Sequence, residues 1–242
     1  MQPAAKIFAM DERPADSPFV ERIWRTRSAP HAAFISVAAS YWQIVVWRQA
    51  GQTHVTLRGP ETTATAVPIP AEAEFIGITI RLGAHLTGAA MEALVDRDHT
   101  FPPGVAGSFR LDGSTWDFPD YDNAEVFVDR LARRGLIASD PLVADLLQGQ
   151  PAELTRRSVE RRVRRATGLT LGRIRQIERA HDAAALLEQG ATILDTVART
   201  GYADQPHLTR SLRRFVGRTP GQIVAQRRLA AAFVQDRRPP RD

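Results

Sequence analysis

The chain has 242 residues and contains no cysteine. This absence excludes disulfides, thiolate metal sites and cysteine nucleophiles. No apolar run approaches the ~20 residues that span a bilayer. The N-terminus also lacks a basic segment followed by an apolar stretch, so no signal peptide is predicted. We therefore expect a cytoplasmic protein that has no membrane partner.

Sequence patterns for catalysis and metal binding are also missing. None of the 6 histidines belongs to an H-x-H or H-E-x-x-H pair, which are common metal-ligand spacings. No G-x-S-x-G, P-loop or dinucleotide fingerprint occurs. Asp112 and the segment 117–122 are acidic, but they lie in turn-like sequence where aspartate is favoured anyway. We expect no enzymatic activity, no metal and no cofactor.

The net charge of +5 is divided unevenly along the chain. Residues 1–140 carry 13 Lys and Arg against 17 Asp and Glu, a net charge of −4. Residues 141–242 carry 19 against 10, a net charge of +9. A basic module beside an acidic one is typical of a nucleic-acid-binding domain attached to a second domain.

The segment 201–220 predicts a helix-turn-helix. A short apolar helix, Ile193 to Thr200, ends at Gly201, and Asp204 is placed to cap the next helix. Leu208, Leu212 and Phe215 recur at helical spacing, which predicts a buried stripe. The opposite face of this second helix is polar and basic, as in helices that contact DNA.

An earlier segment, 155–168, repeats this order of cap, apolar anchors, arginines and closing glycine. Val159 and Val163 are its anchors, and the helix is predicted from Thr155 to about Thr167. Between the two copies, Leu171 to Leu187 forms a helical stripe that includes His181. The first copy differs from the second where the residues 148–151 interrupt its leading helix.

The second copy resembles the DNA-binding motif of the AraC/XylS family of bacterial transcription regulators. The matching residues are Ile193, Ala198, Gly201, Tyr202, Asp204, Leu208, Arg210, Leu212, Arg214, Phe215, Gly217 and Pro220. The resemblance covers residues 141 to 226 and implies two helix-turn-helix motifs joined by a long helix. It further implies that the two recognition helices enter successive major grooves, ~34 Å apart, on one face of double-stranded DNA.

The resemblance also assigns roles to side chains on the two recognition helices. A solvated basic face is the alternative interpretation of these charges. The base-reading positions are Arg157, Glu160, Arg161, Gln205, His207, Thr209 and Arg210. The phosphate contacts are Arg156, Arg162, Arg164, Arg165, Arg213 and Arg214.

The N-terminal half is predicted to be mainly β. Period-two segments favour strands at 33–39, 43–47, 54–58 and 75–81, with return strands at 108–111 and 114–116. Helices are expected from Gly88 to Val95 and from an Asp122 cap to Gly135. The resemblance suggests a cupin-like barrel or a sandwich. The predicted class is α+β: a mainly β domain at 1–140, then an all-α double helix-turn-helix domain at 141–242 that ends in a disordered tail.

Trp24, Trp42, Trp47 and Trp116 all lie in the N-terminal half. Large rings fill β-cores, but they also line cavities for apolar effectors. Both roles remain open from the sequence, and the same is true of Arg48, Arg58 and Arg81, which lie beside strands and are able to orient an anion.

We therefore expect a sequence-specific DNA-binding regulator controlled by a small-molecule effector. The alternatives are a ligand-independent regulator whose N-terminal domain only dimerises, and a DNA-repair fusion, which would need the nucleophilic cysteine that the chain lacks. RNA polymerase and a second copy of the chain are candidate partners.

Overall fold

The structure is a computed structural model that describes residues 10–28, 33–68, 70–105, 107–150 and 153–236. The strands, in chain order, are β1 (Asp11–Pro14), β2 (Val20–Arg27), β3 (Ala33–Ser36), β4 (Gln43–Gln49), β5 (Gln52–Arg58), β6 (Thr65–Pro68), β7 (Glu74–Ile80), β8 (Ala84–Leu86), β9 (Asp98–Thr100), β10 (Ser108–Leu111), β11 (Ser114–Asp117) and β12 (Ile137–Ser139). A 3-10 helix covers Met91–Leu94. The helices are α1 (Ala124–Arg133), α2 (Pro141–Leu147), α3 (Arg156–Thr167), α4 (Leu171–Gln189), α5 (Ile193–Thr200), α6 (Gln205–Phe215) and α7 (Pro220–Asp236).

The predicted class is confirmed: strands dominate the N-terminal half and helices the C-terminal half. The chain forms two compact units, which the backbone enters more than once. The first unit comprises residues 1–34, 39–61 and 66–171, and the second comprises 35–38, 62–65 and 172–242. The domain boundary at residues 140 and 141 stays a prediction.

The first unit is built on a six-stranded antiparallel sheet in the order β1-β2-β7-β4-β5-β9. Successive side chains of a strand point to opposite faces, so the register assigns each residue to one face. One face carries the aliphatic core: Ile23, Ile44, Val46, Leu57 and Ile78 are all buried. Helix α1 covers this core with Phe127, Val128 and Leu131.

The second unit has its own core, made by the apolar stripes of its helices. The buried members are Ile174, Ile177, Leu187, Leu208, Leu212, Phe215 and Ile223. Two short segments from the N-terminal half complete the unit at the end of α6. The amide of Ala38 donates to the Phe215 carbonyl at 2.8 Å, and that of Ala64 donates to the Arg214 carbonyl at 2.7 Å. These bonds satisfy carbonyls that the helix end leaves without an intrahelical partner.

Several element predictions need correction. The residue before α1 is Asn123, and Asp122 does not cap it: the Asp120 carboxylate accepts the amides of Asp122 and Asn123 at 3.0 and 2.8 Å. The predicted helix from Gly88 to Val95 is only the 3-10 turn 91–94. Strands β1, β2, β6, β8, β9 and β12 were not predicted. The predicted tail at 237–242 lies outside the described residues.

Candidate nucleic-acid interface

The second helix-turn-helix is shaped by local side-chain and glycine contacts. The Thr192 hydroxyl accepts the Asp195 amide at 3.1 Å and caps α5. Gly201 ends that helix with a φ of 68°, a left-handed conformation that favours glycine. The Asp204 carboxylate then accepts the His207 amide at 2.6 Å and starts α6. The predicted cap, turn and helix are therefore all confirmed.

Helix α6 packs on the core of the second unit through one apolar side. Leu208 and Leu212 are fully buried, and Phe215 is nearly so. The Tyr202 hydroxyl pairs with the Ser211 hydroxyl at 2.7 Å and ties the preceding turn to the same helix. Since this side is fixed inward, the rotation of the helix about its axis is set. The polar residues of α6 must face away from the core.

The outward side of α6 brings together six side chains that were predicted to contact DNA. Gln205, Arg210, Arg213 and Arg214 are exposed, while His207 and Thr209 are half-buried. The Thr209 hydroxyl donates to the Gln205 carbonyl at 2.9 Å, so its hydrogen is used within the helix. The His207 ring packs edge-on against Tyr202 with a centroid distance of 5.0 Å.

Helix α3 has the same design. The Thr155 hydroxyl accepts the Ser158 amide at 3.2 Å, and Gly168 ends the helix with a φ of 78°. Val163 is fully buried, but Val159, the other predicted anchor, is only half-buried. A Cβ on Gly168 would lie 2.6 Å from the Met91 carbonyl oxygen. The end of α3 therefore packs closely on the 3-10 helix of the first unit.

The side of α3 that carries the predicted base-reading residues faces a cleft. We call this side the reading face of α3; it comprises Arg157, Glu160, Arg161, Arg164 and Arg165. The cleft has a volume of about 820 Å³, and its opposite wall is residues 85–92. Arg164 Nε lies 3.6 Å from Glu92 Oε1 across it. Within the described part of the chain, the buried atoms His85 Nδ1 and Glu160 Oε2 have no hydrogen-bond partner.

Two other predicted phosphate contacts of α3 differ from each other. Arg156 is exposed. Arg162 instead binds Asp140 at 3.2 Å, and the same carboxylate caps α2 by accepting the Leu142 amide at 3.2 Å. Arg162 is thus engaged within the first unit.

A family model described as a helix-turn-helix domain matches residues 150–226. The match contains both motifs and the α4 helix between them. Residues 150–226 form an AraC-type helix-turn-helix domain. The chain thus carries the DNA-binding domain of a transcription regulator. In this AraC-type domain the joining helix α4 buries Ile174, Ile177 and Leu187, and its His181 contacts the Ala38 carbonyl at 2.7 Å through Nε2.

Two solved structures of ToxT from Vibrio cholerae are similar to most of the chain. One, from Vibrio cholerae O395, is 10% identical, covers 92% of this chain and 98% of its own, and has a TM-score of 0.41. The other, a 1.65 Å structure, is 9% identical over 90% and 98% of the two chains, with the same TM-score of 0.41. Neither likeness is close enough to carry an argument. No curated protein matches the chain.

The four tryptophans divide between a pocket and the core. Trp24 and Trp47 line a cavity of about 320 Å³ on the face of the sheet opposite to α1. Trp42 and Trp116 are 2% exposed and belong to the core cluster, so they do not line this pocket. The Trp42 indole N–H donates to the Ala84 carbonyl at 2.8 Å, while Trp116 packs against Phe127.

The arginines that were considered as anion ligands also divide. Arg58 lines the pocket. Arg48 is exposed and donates to Thr53, whereas Arg81 binds Glu21 at 3.1 Å. Within the described ranges, no group of three or more His, Asp or Glu side chains is arranged to hold a metal ion. No helix in the same ranges is long and apolar enough to cross a membrane.

Proposed function

We propose that the protein is a sequence-specific regulator of transcription that binds double-stranded DNA through α3 and α6. The observation that carries this proposal is the outward side of α6. Its cap and buried anchors fix the rotation of the helix, and its outward residues are exposed amide and guanidinium groups beside a half-buried imidazole. Such groups recognise base edges in the major groove and phosphate oxygens beside it.

The roles of the outward residues follow from their chemistry. Arg210 is exposed at the centre of α6, and a guanidinium there can bind guanine O6 and N7 with two hydrogen bonds. Gln205, at the start of the helix, suits an adenine edge. Arg213 and Arg214, nearer the end, suit phosphates. The net charge of +9 in residues 141–242 adds attraction for DNA that has no sequence preference.

Helix α3 must move away from residues 85–92 before it can bind DNA in the same way as α6. A recognition helix fills a major groove that is ~12 Å wide, with DNA strands on both sides. In the structure, residues 85–92 stand opposite the reading face of α3 instead. We therefore assign this arrangement to a closed state, in which α3 does not bind DNA, and we expect an open state in which α3 leaves the cleft.

Control by a small-molecule effector is the second part of the proposal, and the pocket beside Trp24 and Trp47 supports it. Its volume of about 320 Å³ lies within the range of small-molecule sites. An effector acts only if it binds the open and closed states with different affinities. A ligand-independent regulator would instead show the same DNA affinity with the pocket empty or filled.

The experiment that tests DNA recognition begins by selecting preferred sites from a random duplex pool. Arg210→Ala should then weaken binding to the selected site by about 1–3 kcal/mol, or about 5- to 140-fold, because a bidentate base contact is lost. Binding to a scrambled duplex should change much less. The control Arg110→Ala removes the same charge from an exposed position on β10.

Three results would count against the proposal. Equal losses on both duplexes would make Arg210 a phosphate contact. The same loss in Arg110→Ala would reduce the effect to net charge. Failure of the selection to enrich any site would contradict sequence-specific binding altogether.

A further inference from the structure

We propose that the pocket beside Trp24 and Trp47 binds an uncharged, flat, ring-containing compound with one hydrogen-bond acceptor, and that it rejects anions. This inference rests on the proposed function, because it names the chemical class of the effector. It follows from three features of the pocket: an aromatic floor, an unused hydrogen-bond donor, and an arginine that two carboxylates already neutralise.

The floor of the pocket is one row of residues across five strands. Trp24 lies opposite Gly77, Gly77 opposite Val45, Val45 opposite Thr56, and Thr56 opposite Thr100. A Cβ on Gly77 would come within 2.0 Å of the Trp24 ring, so this ring lies directly on the glycine backbone. The indole therefore lies against the sheet, and because it also lines the pocket, it offers an aromatic surface to a planar ligand.

The neighbouring row makes the apolar end of the site. Thr26 lies opposite Phe75, and Phe75 lies opposite Trp47. The Trp47 ring is stacked on His54 with centroids 4.2 Å apart, which holds the indole in place. Phe34 and Val67 also line the pocket. Aromatic and aliphatic walls of this kind favour a compound that loses little hydration on entry.

The polar end offers a hydrogen-bond donor that the protein does not use. The Trp47 indole N–H donates to Thr56 Oγ1 at 3.1 Å, and Thr56 Oγ1 lies 3.0 Å from Thr100 Oγ1. The two hydroxyls have two hydrogens, and their mutual bond uses one, so one remains for an acceptor on a ligand.

The charge of Arg58 is already neutralised within the protein. Arg58 Nε lies 3.4 Å from Asp98 Oδ1, and Arg58 Nη2 lies 3.7 Å from Glu61 Oε1, so one guanidinium faces two carboxylates. A ligand carboxylate would displace or approach these two carboxylates. An anion would therefore leave water for a site that offers it a like charge, which is unfavourable. A hydroxyl or carbonyl group can accept from the free threonine hydrogen without this cost.

The test compares two probes of equal ring size on the full chain by isothermal titration calorimetry: 2-naphthol and 2-naphthoate. We expect 2-naphthol to bind at least about ten-fold more tightly than 2-naphthoate. The double variant Glu61→Gln/Asp98→Asn frees Arg58 of both carboxylates, so it should gain at least about ten-fold in naphthoate affinity while its naphthol affinity stays within about three-fold.

The outcomes separate this inference from the proposed function. Equal or tighter binding of 2-naphthoate to the wild-type chain overturns the inference, and so does absence of naphthol binding. The wild-type comparison needs no variant to fold. DNA affinity of the same preparation is measured by fluorescence anisotropy. Selective DNA binding without naphthol binding would overturn only the inference, and naphthol binding without selective DNA binding would overturn the proposed function.

Discussion

Glu92→Ala should increase the affinity of the protein for DNA. Glu92 belongs to the 3-10 helix and pairs with Arg164 on the reading face of α3 at 3.6 Å. This ion pair exists only while α3 lies beside residues 85–92. Removing it therefore destabilises the closed state and leaves the open state unaffected. The change from the closed to the open state then costs less free energy, so DNA binds α3 more tightly.

The size of the effect follows from the exposure of the pair. The two side chains are 52% and 58% exposed, so water and salt screen the attraction. Pairs of this kind contribute about 0.2–1 kcal/mol, which corresponds to a gain of about 1.4- to 5-fold in DNA affinity when the closed state dominates. Glu92→Arg should give more, because it places a positive charge opposite the four arginines of the reading face. That additional gain should shrink as salt is raised.

The assay is fluorescence anisotropy with the selected duplex at two salt concentrations. Glu74 provides a matched control, because it forms an ion pair with Arg27 at 3.7 Å and these side chains are 53% and 72% exposed. Glu74→Ala and Glu74→Arg change the net charge of the protein by the same amounts. If the Glu92 variants gain no more affinity than the Glu74 variants, the closed-state argument is wrong.

Two further predictions concern the architecture of the two sites. Gly77→Ala should destabilise the first unit by about 1–3 kcal/mol, because the new Cβ displaces the Trp24 ring and breaks its 3.2 Å bond to Gln43. Urea unfolding followed by tryptophan fluorescence measures this loss of stability. The control is Gly221→Ala, whose Cβ meets no atom within 4 Å. Equal unfolding midpoints for the two variants would contradict the argument. Asp204→Ala should lower stability by about 1 kcal/mol through loss of the α6 cap, whereas Asp204→Asn keeps a capping oxygen. Thermal unfolding followed by circular dichroism should rank the two variants in that order, and equal losses would show that the cap is unimportant.

The helix-turn-helix elements were predictable because their signals are local. Thr155 and Asp204 cap the helices that they precede, and Gly168 and Gly201 end the helices that they follow. Each interaction joins residues only three or four positions apart, so the order of residues in the chain suffices. Asn123 shows the limit of this reasoning. Two acidic residues and an asparagine stand together before α1, and only the turn geometry decides which one precedes the helix.

The short strands were missed because each depends on a distant partner. Strand β8 pairs with β12, so Leu86 lies opposite Ile137, and neither three-residue segment has a usable period. The same reason explains the division of the tryptophans. In β4, apolar residues occupy both faces, since Ile44 and Val46 enter the core while Val45 and Trp47 line the pocket. Alternation separates the two sets, but the sequence does not show which face α1 covers.

Nothing in the sequence predicted the contact that α3 makes with the 3-10 helix in the closed state. Arg164 and Glu92 are more than seventy positions apart, and both are ordinary surface residues in composition. The helical spacing of the α3 arginines predicted that they project outward, and the family resemblance predicted that they contact DNA. The exposure of Arg157, Arg161 and Arg164 agrees with the spacing. What faces this side is decided by the packing of Gly168 on Met91, which involves the backbone and is invisible to side-chain patterns.

Some residues that line the pocket lie close in sequence to Glu92, which contacts α3 in the closed state. This proximity leads to a last prediction. Asp98 and Thr100 of β9 line the pocket, and the 3-10 helix that bears Glu92 ends at Leu94. The segment between them is held to the end of β5, since the Asp96 amide donates to the Pro60 carbonyl at 2.8 Å and the Gly59 amide donates to the Arg97 carbonyl at 3.0 Å. A ligand that moves β9 must therefore also displace this connecting segment, which holds the 3-10 helix in place.

If this connecting segment transmits the effect of ligand binding from the pocket to the 3-10 helix, 2-naphthol should change the DNA affinity of the wild-type chain by a measurable factor. DNA should then change the naphthol affinity of the chain by the same factor. In Glu92→Arg the closed state is already disfavoured, so the same ligand should change DNA affinity by a smaller factor, although it binds the pocket as before. Anisotropy titrations with and without ligand measure both factors, and Glu74→Arg should retain the wild-type response. A full ligand response in Glu92→Arg would show that the closed contact of α3 is not the element that the pocket controls.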